Sequence, residues 1–299
     1  MSKKIKKISI VCRPGAKKAA STIIKLIDYL KSEHCLVVLE KQTAALLTKN
    51  FLENKKIKSV DKKNLKKFSE LMLVVGGDGS LLHGAKIAVD QNLPVLGINR
   101  GYLGFLADIH PNDKKTLKQI LQGNYKQEKR FLLSVTLKKD KKILAQDLAL
   151  NEAVIVPNDA AHMMKFSITI NDEFVCCQRA DGLIAATPTG STAYALSAGG
   201  PILQPKLHAI VLIPMFPHTL SNRPLVIENN SCLKVEVLKT SKRPIFVSCD
   251  GRERFILPPN TTLHIQKHKK IFTLIHPKEY SYFSTLREKL GWHGERRER

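Results

Sequence analysis

Aromatic side chains are scarce, with Phe, Trp and Tyr making up 6% of the 299 residues and Trp occurring once. Proteins that track single-stranded nucleic acid pair a basic groove with stacking aromatics, so this shortage weighs against that partner. Acidic residues are also few, 26 against 49 Lys and Arg, for a formal charge of +23. So basic a balance favours anionic partners. The lysines, however, are scattered in pairs such as Lys3-Lys4, Lys17-Lys18, Lys55-Lys56 and Lys66-Lys67, with apolar residues between them. They read as a solvated surface, and a small polyanion such as a nucleotide is a better partner than nucleic acid. The six cysteines (Cys12, Cys35, Cys176, Cys177, Cys232, Cys249) form no C-x-x-C pair and no regular spacing. That argues against a zinc site or a disulfide framework and for a reducing compartment. No run of 18 apolar residues occurs, and no uninterrupted apolar segment follows the basic N-terminus. The expectation is a soluble, cytoplasmic protein without a membrane partner.

Several familiar chemistries are missing too. No G-x-x-x-x-G-K-[ST] occurs, which excludes a P-loop, and no G-x-G-x-x-G marks a dehydrogenase-type dinucleotide site. No G-x-S-x-G elbow or paired His and Asp makes Ser191 a nucleophile.

What remains is 43% apolar residues, enough for a substantial core in one large or two ordinary domains. The first hundred residues alternate strand and helix patterns. Strands are expected at 8–12, 35–39, 71–75 and 94–98, and helices at 17–32, 43–52 and 80–89. Such alternation predicts a parallel sheet with helices on both faces. After Gly123 come short strand-like runs, among them 131–137, 165–170, 174–177, 210–213, 233–238, 245–249 and 263–265. Frequent turn signals, including Asn171-Asp172, predict an antiparallel β-rich domain. The expected boundaries are 1–122 for the α/β domain and 123–277 for the β-rich domain. Residues 278–299 form a C-terminal segment packing back on the first, with a helix over 280–290.

Three segments carry chemistry. Gly76-Gly77-Asp78-Gly79-Ser80 lies between an apolar strand and a helix. Glycines allow close backbone approach, and their N–H groups with the helix N-terminus suit phosphate oxygens. A carboxylate among phosphates is unfavourable unless it removes a proton or holds a metal, which singles out Asp78. The second segment runs from Asp181 through Thr187-Pro188-Thr189-Gly190-Ser191-Thr192-Ala193-Tyr194 to Ser197 and Gly199-Gly200-Pro201. Its small and hydroxylic residues suit hydrogen bonding to a polar ligand. The third is Asn151-Glu152, an amide beside a carboxylate that could grip an adenine amino group or ribose hydroxyls.

Together these segments resemble the NAD kinase family. The resemblance extends to Gly97-Ile98-Asn99-Arg100-Gly101, Leu103-Gly104-Phe105-Leu106, Pro214 to Ser221 and Arg223-Pro224-Leu225. Ile275-His276-Pro277-Lys278 and Tyr280-Ser281-Tyr282-Phe283 are most similar to Gram-negative bacterial forms. The motifs keep family order over roughly residues 70 to 285. Gly-Gly-Asp-Gly alone also occurs in lipid kinases and 6-phosphofructokinases, so a diacylglycerol or sphingoid kinase is one alternative, and a non-catalytic nucleotide-binding protein another. The resemblance implies a Rossmann-like α/β domain, a β-sandwich-like domain and an active site between them. It implies ATP as donor, Mg²⁺ as the divalent metal with no ligand named, and a homo-oligomer, commonly a tetramer. Asp78 would be the general base, with Gly76, Gly77, Gly79 and Ser80 on the phosphates. NAD would meet Asp78, Gly79, Asn151, Glu152, His162, Arg179, Asp181, Thr192, Ala193, Tyr194, Ser197 and Arg252. Arg179 occupies a position linked to preference for NAD over NADH. Ser80 stands for a common Thr, and His83 departs from the usual Arg or Gly.

Overall fold

The computed structural model describes residues 4–101, 104–158, 163–219, 221–238, 244–252 and 254–292. The chain divides into two compact units, Met1–Lys129 with Phe272–Arg299, and Arg130–Ile271.

In the first unit, β1 (Lys7–Cys12), β2 (Leu36–Glu40), β3 (Lys58–Val60), β4 (Leu71–Val75) and β5 (Val95–Ile98) form a parallel sheet ordered β5-β4-β1-β2-β3. The end of a long strand, Thr262–Pro277, continues it, pairing parallel to β5 through Leu274 with Val95 and Ile275 with Leu96. Every residue of β4 is buried. That accounts for its unbroken apolar run, since a sheet covered on both faces needs no alternation. The helix Ala20–Ser32 buries Ile23, Leu26, Ile27 and Leu30 in the same core.

One expectation fails locally. The single helix expected at 43–52 is instead two short ones, Lys41–Ala44 and Lys49–Asn54. Each has its own cap: the Glu40 carboxylate accepts from the Thr43 N–H (2.9 Å) and the Thr48 hydroxyl from the Phe51 N–H (3.3 Å). A capping residue in extended conformation restarts the helix, and Thr48 does so in mid-run. The amphipathic helix Lys114–Leu121, capped by Asp113 and burying Leu117, Ile120 and Leu121, was not foreseen. The tail helix Tyr282–Leu290 starts at its Ser281 cap and ends at Gly291, whose φ is 65°.

The second unit begins within β6 (Tyr125–Lys139), followed by β7 (Lys142–Ala149), β8 (Glu152–Pro157), β9 (Met164–Ile170), β10 (Glu173–Ala180), β11 (Gly182–Ala186) and β12 (Ala209–Met215). Then come β13 (Leu225–Glu228), β14 (Leu233–Val237), β15 (Ile245–Cys249), β16 (Arg254–Leu257) and β17 (Thr262–Pro277). One antiparallel sheet runs β13-β12-β11-β8-β15-β16; in the other, β10-β9-β14-β17 are antiparallel and the β6-β7 hairpin joins at β17. Phe131, Phe166, Leu233 and Ile265 of one sheet share a core with Ile155, Leu183, Leu212 and Val247 of the other. This is the expected sandwich. The β9-β10 hairpin turns at Asn171 and Asp172 with φ 50° and 68°, as a two-residue turn of this type requires.

Candidate functional site

The Gly-rich loop follows β4 and opens the helix Asp78–Gln91. Its glycines differ in what they are for. Gly76 has φ +143° and a Cβ there would lie 2.2 Å from Ser80 Oγ, so the fold itself demands glycine. At Gly77 and Gly79 a Cβ would meet nothing within 4 Å, and both are exposed. The protein leaves open room beside these two residues, which a ligand can occupy.

Asp78, half-buried, is held by the segment after β5. Its Oδ2 accepts from the Phe105 N–H (2.9 Å), and its Oδ1 accepts from Leu106 (3.1 Å) and Ala107 (3.3 Å). Three consecutive N–H groups thus fix one carboxylate. A Cβ on Gly104 would sit 2.0 Å from Asp78 Oδ1, so glycine there is what lets the carboxylate into this seat. A carboxylate has about four acceptor positions, which leaves Oδ2 able to accept from a ligand hydroxyl.

In the second unit the same device recurs. The Asp250 carboxylate accepts from the N–H groups of Leu150 (3.0 Å), Asn151 (2.8 Å) and Glu152 (3.3 Å), and the Asp250 N–H donates to the Glu152 carbonyl (3.0 Å). Asp250 therefore fixes the Asn151-Glu152 pair. Both side chains are buried, and Asn151 Oδ1 and Glu152 Oε2 have no hydrogen-bond partner among the described residues. Buried polar atoms are normally satisfied, so these two mark a place where a polar ligand would bond.

Burial, with the Asp250 charge second, pushes the Glu152 carboxyl up to about 8. Because the folded state holds this proton more tightly than the unfolded chain, stability falls as pH rises from Glu's ordinary 4.5 to about 8. Above that range the penalty is complete; below it the penalty is absent. Glu152→Gln removes the titration, so its advantage over the wild type should grow between pH 5 and 8, by several kcal/mol at most. Thermal unfolding of both proteins across that range tests this, and parallel curves would refute it.

The hydroxyl-rich turn packs on this pair. Thr187 Oγ1 donates to the Leu150 carbonyl (2.6 Å), and the Thr187 N–H donates to the Asn151 carbonyl (2.8 Å). A Cβ on Gly190 would lie 2.2 Å from the Asn151 carbonyl oxygen. Ser191 is fully buried, donating to the Pro188 carbonyl (2.7 Å) and accepting from the Leu203 N–H (2.9 Å). Its hydroxyl pins the turn.

Asp181 is half-buried before β11, Thr192 and Ala193 are half-buried, and Tyr194 and Ser197 are exposed on the short helix Tyr194–Ser197. Ser197 borders a hollow of about 400 Å³ with Gly199, Met215, Phe216, Asn222 and Arg223. Arg179 is exposed on β10, its carbonyl accepting from the His218 N–H (3.0 Å). Arg252 is half-buried, its carbonyl accepting from Ser248 Oγ (3.0 Å). His162 lies outside the described residues. The sequence reading missed Asp250, although Asp250-Gly251 is a turn signal beside the Arg252 it did name, and missed the N–H groups of Phe105 to Ala107.

Residues 8–125 match the ATP-NAD kinase N-terminal domain and residues 150–277 the ATP-NAD kinase C-terminal domain. An NAD kinase of Coxiella burnetii (strain Dugway 5J108-111) is 48% identical over 286 residues, covering 96% of this chain and 94% of that protein. The chain belongs to the NAD kinase family. An NAD kinase of Pseudomonas putida (strain GB-1) is 46% identical, with 95% of each chain covered. A yeast NADH kinase crystallised with NADH superposes with a TM-score of 0.86 at 26% identity, covering 99% of this chain and 90% of that one. The fold is shared too with an NAD kinase from Archaeoglobus fulgidus in complex with ATP, at a TM-score of 0.71, 24% identity and 96% and 99% coverage. NAD kinases are phosphotransferases with ATP as donor, and the lipid-kinase alternative finds no support among these relatives.

Proposed function

We propose that this chain moves the γ-phosphoryl group of ATP to the 2′-hydroxyl of NAD's adenosine ribose, with Asp78 as general base. The proton leaves the hydroxyl for Asp78 Oδ2, the new P–O bond forms, the β–γ bond breaks, and NADP and ADP result. The observation that carries this reading is the Asp78 carboxylate, fixed by three backbone N–H groups at the mouth of a loop with two unobstructed glycines. Phosphoryl transfer asks the protein mostly for positioning and charge stabilisation. The N–H groups of Gly77 and Gly79 at the helix N-terminus, with the Ser80 hydroxyl, suit the phosphate oxygens. Asn151 Oδ1 and Glu152, protonated through neutral pH, suit ribose hydroxyls or an adenine amino group. Asp181, Thr192, Ala193, Tyr194, Ser197, Arg179 and Arg252 are assigned to NAD by the family resemblance, and His162 likewise.

Among the described residues no group of three or more His, Cys, Asp or Glu could hold a metal ion. The family resemblance puts Mg²⁺ on the ATP phosphates, where it would supply charge neutralisation. A homotetramer also rests on the family resemblance, and a cytoplasmic location on the cysteine pattern and the lack of a long apolar run in the sequence; no helix among the described residues is long and apolar enough to cross a membrane.

The test is purified protein with ATP, Mg²⁺ and NAD, reading NADP through an NADP-specific dehydrogenase. Well-folded protein that makes no NADP would sink the proposal. Arg179→Gly should narrow the ratio of kcat/KM for NAD over NADH, since it deletes the charge while the His218 N–H still ties the backbone at this position. An unchanged ratio would remove Arg179 from cofactor selection.

A further inference from the structure

His276, near the end of β17, has a side chain only 1% exposed, yet both its ring nitrogens face carboxylates. Nδ1 lies 2.8 Å from Asp108 Oδ2 and Nε2 3.1 Å from Glu128 Oε2. Ionised carboxylates only accept, so the ring satisfies both only with a proton on each nitrogen. Burial disfavours that charge, but Asp108 and Glu128 outweigh it and raise His276 above its ordinary 6.5. The Tyr280 ring stacks on the imidazole at 3.7 Å, and Lys126 Nζ donates to the Tyr280 carbonyl (3.0 Å). Among the described residues, Asp108, Glu128 and Tyr280 are the titratable groups in contact with the ring, and Lys126 touches Tyr280 at its carbonyl.

Asp108 directly follows Phe105-Leu106-Ala107, whose N–H groups hold the Asp78 carboxylate. We propose that His276 is a positioning residue for phosphoryl transfer: it anchors Asp108, and through the adjoining backbone it fixes the three N–H groups that aim Asp78. The proposal rests on Asp78 being the base. Its pH signature has a definite sign. A raised histidine gives its stabilisation in full below 6.5 and loses it as pH climbs through the folded value. The grip on residues 105–107 should therefore loosen on the alkaline side.

The experiment uses the full chain with His276→Gln and Glu128→Gln, assayed with ATP, Mg²⁺ and NAD across pH. Hydrogen exchange at the amides of 105–107 is read alongside. Gln offers one donor group and so satisfies one carboxylate. His276→Gln should lower kcat by ~10-fold or more while KM for NAD and ATP stays within about twofold. Exchange at 105–107 should speed up while the helix Asp78–Gln91 keeps its protection. Glu128→Gln keeps the shape but removes one counter-charge, so the alkaline limb of kcat should move to lower pH. Normal kcat with normal exchange at 105–107 overturns the proposal, as does a loss of protection spread evenly over the first unit. If His276→Gln does not fold, Glu128→Gln decides alone, and an unmoved alkaline limb overturns it. Asp78→Asn run in parallel separates the two readings. Full turnover there removes the base; collapse there beside an unaffected His276→Gln removes only the positioning role.

Discussion

Asp78→Asn is expected to lower turnover by ~100-fold or more, the usual scale for losing an acid–base group. The structure adds a second effect to that loss. The carboxylate accepts three N–H bonds, whereas an amide has one oxygen and one NH₂ group. Whichever way the amide turns, its NH₂ faces at least one of the N–H donors of Phe105, Leu106 or Ala107. Leaving such a donor unsatisfied costs about 1–3 kcal/mol, so the segment 104–107 should loosen as well. The two effects separate by experiment: exchange at the three amides reports the seat, and turnover reports the chemistry. Near-normal turnover with a loosened seat would end the base assignment.

Gly190→Ala should damage the second unit more than any single surface change. The new Cβ would lie 2.2, 2.4 and 2.7 Å from the Asn151 backbone O, C and Cα. Backbone atoms cannot rotate out of the way as a side-chain tip can. The turn must separate from Asn151, straining the Thr187 N–H bond to the Asn151 carbonyl (2.8 Å). Overpacking of this kind costs roughly 3 kcal/mol, which lowers Tm by on the order of 10 °C for a unit this size. NAD affinity should fall with it, because Asn151 and Glu152 share that backbone. An unchanged Tm would show that the turn can yield.

Four of the five strands β1 to β5 were legible as short apolar runs, β1 and β4 closed by Gly or Pro. Strand β3, Lys58–Val60, was not, since it is short and only its Val60 is buried. The hairpin at Asn171-Asp172 was legible because its turn needs positive φ. The helix at 114–121 was missed, though Asp113 is an ordinary cap and Leu117, Ile120 and Leu121 keep helical spacing. The break at Thr48 is harder, since a mid-run Thr serves equally well inside a helix or as the start of one. In the candidate site, Asp78 stood out as a lone acid among glycines. Asp250 did not, because its partners lie 98 to 100 positions earlier in the chain. No local pattern encodes a bond that only the folded sheets bring together. For the same reason, nothing in the sequence distinguishes Gly76, which the loop requires, from Gly77 and Gly79, which it does not.

The first unit is discontinuous in sequence, with Phe272–Arg299 returning to complete what Met1–Lys129 begins. During synthesis, β5 emerges from the ribosome well before Leu274 and Ile275 are available to pair beside it. His276, 168 positions after Asp108, comes later still. A domain of continuous sequence can fold as soon as it is made, but this one must wait through the whole of the second unit with an exposed strand edge. The half of the enzyme that is translated first is finished last.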